Sequence, residues 1–138
     1  MLEVITNHLG AVQFEISARN HKVYCDQPVE SGGFDEGPTP PELMLGALGA
    51  CAAYYAVDYL KRQKVPAEGV RVRTTAEKVL GPARLDDIHI QLECCRSLEG
   101  RHQKGLLDAV RKCLLHNTLL HLPKIRVDLV TPAVRIAA

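Results

Sequence analysis

The sequence predicts an α+β fold with antiparallel sheets, in the order β-β-β-α-β-β-α-β. Three observations carry this. Short runs of alternating apolar and polar residues open the chain and recur in its second half, with the period of a half-buried strand. One long apolar run, residues 43–57 (LMLGALGACAAYYAV), follows a complete helix-start signal. Strands come in runs separated by two helices, where a parallel sheet would require strict strand–helix alternation. A length of 138 residues suits a single domain covering 1–138.

The first three strands are expected at residues 2–6, 12–16 and 21–25, as an antiparallel meander. Val12, Phe14 and Ile16 alternate with Gln13 and Glu15, and Val23 shares a face with Cys25. Residues 27–38 (QPVESGGFDEGP) hold Gly, Pro and acids, and read as a loop long enough to invite a functional role. Thr39-Pro40-Pro41-Glu42 has the form of a capping box with proline at the first helical position, so a helix runs from here to about Gln63, before Val65-Pro66 and Gly69. Gly46, Ala50 and Ala53 give it a small-residue stripe that permits close helix approach. A helix apolar on nearly all sides needs cover all round, and a chain with one other helix implies that a second subunit supplies part of it.

Strands are expected again at 70–77 and 88–94, with a turn at Leu80-Gly81-Pro82. Val70, Val72 and Thr74 face inward in the first, and Ile88, Ile90, Leu92 and Cys94 share a face in the second, with Cys95 on the other. The second helix is expected from Arg101 to about Leu119, with Leu106, Val110, Cys113 and Leu114 on its apolar stripe and Pro123 beyond it. A last strand is expected at 125–130, where Ile125, Val127 and Leu129 alternate with Arg126 and Asp128.

Composition narrows the function classes. The chain has 17 basic and 16 acidic residues, no basic patch and few aromatics, which argues against nucleic acid as a partner. The N-terminus lacks the basic and apolar regions of a signal peptide, and the 15-residue run 43–57 falls short of a bilayer span of about 20 residues, so no membrane association and a cytoplasmic location are expected. In that compartment the five cysteines stay reduced, and a disulfide among them is more readily catalytic than structural. None of them forms a C-x-x-C pair, the six histidines make no H-E-x-x-H, and no phosphate-binding glycine motif is present. Neither a metal nor a nucleotide cofactor is expected.

Cys51 lies in the middle of the apolar helix and Cys113 on the second helix. Each reads either as a small core residue or as a working thiol. A reactive Cys51 requires a thiolate, and a mid-helix position is too far from the helix N-terminus for that field to help. A cation must serve instead, and Arg19, in the turn between the second and third strands, is the local candidate. If Cys51 attacks, Cys113 is the candidate to resolve the product as a disulfide. His116 lies one helical turn from Cys113 and is a further candidate, although a histidine near a helix C-terminus is also accounted for by the dipole. Cys25 and Cys94 read as core.

The stretch 32–51 (GGFDEGPTPPELMLGALGAC), with the later segment KCLLHNTL around Cys113, resembles the OsmC/Ohr family of osmotically inducible and organic-hydroperoxide-resistance proteins, and in particular its less characterised OsmC-related branch. The resemblance extends from about Val12 to Val130. It implies an intertwined homodimer whose long central helices pack together. It also implies a thiol peroxidase without metal or flavin, in which Cys51 matches the peroxidatic cysteine and Cys113 the resolving one, with a dithiol or lipoyl-bearing protein as reductant. Two positions depart from the family pattern. The activating glutamate, ten residues before the first cysteine, is replaced by Pro41, and the proline after the second cysteine by Leu114. Glu42 is one residue displaced, and nine residues of ideal helix turn through about 900°, which sets it opposite Cys51. The expected function is reduction of organic hydroperoxides through a Cys51 sulfenic acid resolved by Cys113, with Arg19 holding the thiolate. The alternative is a non-catalytic small-molecule-binding dimer with structural cysteines.

Overall fold

A computed structural model of the chain describes residues 1–94 and 97–131. The opening meander forms as expected, shifted by a few residues: β1 (Ile5–Gly10), β2 (Gln13–Ala18) and β3 (His21–Cys25) make a three-stranded antiparallel sheet in that order. Register places Thr6, Ile16 and Val23 side by side, then His8, Phe14 and Cys25, which gives one apolar face. The other face is polar, with Glu15 accepting hydrogen bonds from Lys22 (2.9 Å), Tyr24 (3.2 Å) and Ser17 (3.3 Å).

The loop that follows is ordered from beneath by a residue that composition does not single out. Asp26, 1% exposed, accepts hydrogen bonds from the amides of Gln27 (2.8 Å), Phe34 (2.9 Å) and Glu36 (3.3 Å). Burial works against its ionisation, but the three amides outweigh it and hold the carboxyl below its ordinary value.

Helix α1 (Pro40–Arg62) begins at Thr39 as predicted. It ends where Lys64 takes a left-handed φ of 57° and Val65 N–H bonds back to the Leu60 carbonyl (2.9 Å). Strands β4 (Arg71–Leu80) and β5 (Ala83–Glu93) form a hairpin longer than the predicted pair, closing through Gly81-Pro82. A register irregularity between Thr75 and Glu77 explains the shorter expectation, because beyond it the apolar–polar alternation no longer follows one face. Leu48, Ala52, Ala56 and Leu60 recur every four residues on α1 and are buried, the last three in a core with Leu106 and Val110 of the next helix. Val72, Ile90, Leu92 and Cys94 of the hairpin pack against that core.

Two expectations are corrected. The single helix from Arg101 to Leu119 is two helices, α2 (Gly100–Val110) and α3 (Leu114–Leu120). Tight bonds from Lys112 N–H to the Ala109 carbonyl and from Cys113 N–H to the Val110 carbonyl (both 3.0 Å) break the run, and the Cys113 carbonyl accepts from both the Asn117 amide (3.0 Å) and Asn117 Nδ2 (3.1 Å). No Gly or Pro marks this break in the sequence. Residues 125–130 form no strand within the chain, and Ile125, Val127 and Leu129 are 83%, 92% and 89% exposed. Cys95 lies outside the described residues.

Much apolar surface has no partner in the chain. At 23 residues and a mean hydropathy of 1.4, α1 is long and apolar enough to cross a membrane by length and composition, yet only 22% of its most apolar window is buried. It packs on α2, α3 and the hairpin, while the β1–β3 sheet makes no extensive packing against these elements.

Candidate active site

Cys51 follows Leu48 and Ala52 around α1 onto the flank that meets α3, and is half-buried there. The break between α2 and α3 makes Cys113 the residue immediately before the first turn of α3, 1% exposed. The two side chains lie close enough for each thiol to feel the other, and both are unbridged. The two cysteines singled out from sequence are thus brought together across 62 residues of chain.

Burial pushes the Cys113 thiol above its ordinary value and the neighbouring Cys51 thiol pushes it further, against the opposing pull of the His116 and Leu115 amides. Cys113 therefore remains a protonated thiol near neutral pH.

The remaining candidates are not assembled around Cys51 within the chain. Arg19 sits exposed in the β2–β3 turn at a left-handed φ of 54°, and among the described residues it forms no hydrogen bond or ion pair. The expected Arg19–Cys51 pairing is not formed within the single chain, where the sheet carrying Arg19 makes no extensive packing on α1. A two-residue hairpin turn with positive φ normally selects Asn or Gly, so an arginine there carries a conformational cost with no compensating contact in its own chain.

Glu42 is exposed and closes the capping box, its carboxylate accepting from the Thr39 amide (2.7 Å) and hydroxyl (2.8 Å). The Thr39 amide is the main cause that holds its carboxyl below the ordinary range. Glu42→Ala is expected to lower the melting temperature measured by calorimetry, whereas Glu42→Gln keeps most of it because an amide oxygen still accepts from Thr39. His116 is half-buried and lines an apolar cleft of about 410 Å³ between β5 and the helices, formed mainly by Leu48, Ile88, Ile90, Leu92, Val110 and Leu119. The cleft reaches within one turn of Cys51 at Leu48 but is not lined by either cysteine.

Among the described residues no cluster of His, Cys, Asp and Glu could hold a metal ion. Sequence reasoning missed Asn117, which supports the turn that presents Cys113; its one signal was a helix-breaking side chain placed four residues after a cysteine.

The sequence model of the OsmC-like protein family matches residues 33–128, more than half of the chain and a span that contains both cysteines. The chain belongs to the OsmC-like family. Among solved structures, it is similar to a protein of Psychrobacter arcticus 273-4 assigned to the osmotic stress and detoxification response, with a TM-score of 0.79, 18% identity, and 86% of this chain and 88% of the other covered. An OsmC-like protein of Mycoplasma pneumoniae gives 0.76, 17% identity, and 88% and 89%. An organic hydroperoxide resistance protein of Legionella pneumophila gives 0.65, 16% identity, and 85% and 88%. These likenesses establish the OsmC-like fold. Among curated proteins no match is found.

Proposed function

We propose that this OsmC-like protein is a homodimeric, cytoplasmic thiol peroxidase that reduces organic hydroperoxides. Family membership, with neighbours named organic hydroperoxide resistance proteins, supports a redox stress role. The observation that carries the finer reading is the closeness of the Cys51 and Cys113 thiols. In the first step the Cys51 thiolate attacks the terminal peroxide oxygen. The O–O bond breaks, the alkoxide takes a proton and leaves as alcohol, and Cys51 becomes a sulfenic acid. The Cys113 sulfur then attacks the Cys51 sulfur, and hydroxide with the thiol proton leaves as water. A dithiol or lipoyl-bearing reductant returns both cysteines to thiols.

The second copy supplies what the single chain lacks. Support comes from the exposed apolar flank of α1, including Tyr54 at 68% exposure, and from a groove beside it lined by Gly46, Gly49, Ala50 and Ala53. The uncovered apolar face of the β1–β3 sheet needs the same kind of partner. Closing that sheet over the other copy's α1 carries Arg19 toward the other copy's Cys51, which gives the strained arginine a counter-charge.

The test is stoichiometric oxidation. Reduced protein treated with one equivalent of cumene hydroperoxide is expected to lose two titratable thiols per subunit, with peptide mapping assigning them to a Cys51–Cys113 disulfide. Unchanged thiols would return the chain to the reading as a non-catalytic binding dimer.

A further inference from the structure

The two thiols are carried differently. Cys51 is fixed by the hydrogen-bond ladder of α1, whereas Cys113 lies on the link 111–113 between α2 and α3. Its φ of −54° and ψ of 129° are not helical, so no ladder of its own fixes where its sulfur stands. The link is held from the α3 side by Asn117. Asn117 Nδ2 donates to the Cys113 carbonyl (3.1 Å) and reaches the Arg111 carbonyl (3.5 Å), which spans the link from the end of α2 to the start of α3. The Asn117 backbone amide donates to the same Cys113 carbonyl (3.0 Å). The Cys113 sulfur in turn faces the Leu115 and His116 amides. Cys113 is thus gripped by α3 at its carbonyl and at its sulfur. Asn117 is exposed and fills no core, and asparagine is a poor helix former whose side chain competes for backbone groups. Its bonds to the link account for its place in α3.

We propose that Asn117 is a positioning residue for disulfide closure, and that by bracing the link it holds the Cys113 sulfur where it can attack Cys51. In closure the Cys113 sulfur forms the S–S bond, the S–O bond of the Cys51 sulfenic acid breaks, and hydroxide leaves with the thiol proton as water. Asn117 exchanges no proton or electron in this step. It sets how often the sulfur stands in attacking geometry, and misplacement by about 1 Å is enough to slow such a step severely. Bracing also sets how the sulfenic acid is partitioned. Fast closure protects it from a second hydroperoxide, which would carry Cys51 on to a sulfinic acid and release a second alcohol. This role rests on the two-cysteine cycle proposed above.

Asn117→Leu removes the side-chain donor at similar size from an exposed position, and leaves the backbone amide in place. Asn117→Ser restores a donor, because a helical serine hydroxyl reaches the carbonyl four residues back. Thr118→Val is the control: it deletes a comparable bond in α3, from the Thr118 hydroxyl to the Leu114 carbonyl (2.9 Å), without touching the link. With cumene hydroperoxide in rapid mixing, Asn117→Leu is expected to lose the Cys51 thiol at the parent rate but to close the disulfide about fivefold to tenfold more slowly, the range one hydrogen bond supports. Its Cys51 sulfinic acid, read by mass spectrometry, should rise at high hydroperoxide. Asn117→Ser should recover most of the closure rate, and Thr118→Val should match the parent. Closure at the parent rate in Asn117→Leu overturns the proposal. So does equal slowing in Thr118→Val, or a slowing of both steps alike, since either reports only on the stability of α3. Equilibration of the pair with oxidised dithiothreitol separates this role from the peroxidase reading. A parent that forms the disulfide with dithiothreitol but keeps its thiols in hydroperoxide defeats the peroxidase reading alone, and Asn117→Leu should still weaken that disulfide by a similar factor. A parent that forms no disulfide with either oxidant overturns both.

Discussion

Cys51→Ser is expected to reduce dithiol-dependent consumption of cumene hydroperoxide by on the order of 10³-fold or more, with no change in fold. The size follows from the chemistry. A serine hydroxyl at this position has no base to deprotonate it and forms no stable analogue of a sulfenic acid, so the variant loses the reaction and not merely some rate. Fold retention follows from placement: Cys51 is half-buried on a flank of α1, one position from the buried Ala52, and serine is close to isosteric. Cys113→Ser separates the two thiols. It should retain the first turnover and accumulate a Cys51 sulfenic acid that a dimedone probe traps, while the intramolecular disulfide disappears. If Cys51→Ser consumes hydroperoxide at the parent rate, the assignment of the nucleophile fails. If Cys113→Ser cycles at the parent rate with dithiol, resolution by Cys113 fails while attack by Cys51 stands.

Much of this arrangement was legible in the sequence because it rests on local signals. The capping box at Thr39, the prolines behind it and the small-residue run fixed the start and character of α1 without reference to the rest of the chain. The alternation in β2, β4 and β5 likewise reported which faces turn inward. What was not legible depends on contacts distant in sequence or on contacts that this chain does not make. The α2–α3 break is supported by Asn117 and has no Gly or Pro to announce it, yet it is the break that turns Cys113 toward Cys51. The alternation at 125–130 has the form of a strand, but a strand needs a ladder partner, and among the described residues this segment has none. Arg19 is the candidate cation that the β2–β3 turn offers, and the sheet that bears it makes no extensive packing on its own α1.

Gly33→Ala is expected to destabilise the protein by about 3 kcal/mol or more, a drop of roughly 10 °C in melting temperature measured by calorimetry. A Cβ at this position would overlap the Gln27 carbonyl and lie 2.7 Å from Asp26 Oδ1, so backbone and a buried carboxylate would both have to move. Neither is the free end of a flexible side chain. Gly32→Ala is the informative contrast. Its Cβ would meet nothing within 4 Å, but its φ of 85° is left-handed, so it should cost about 1–2 kcal/mol through conformation alone. Near-equal losses in the two variants would show that the Asp26 cradle is not tightly packed around Gly33. The cradle also sets an acid limit. Because the folded Asp26 carboxyl is held below its ordinary value, its stabilisation is complete above the ordinary aspartate pKa of about 3.9. It is lost as pH falls below that value and through the lower folded one. Acid should therefore release the amides of Gln27, Phe34 and Glu36, seen as faster hydrogen exchange at those three positions before the α1 amides open. Exchange that opens the loop and α1 together at the same pH would mean that Asp26 is not what holds the loop.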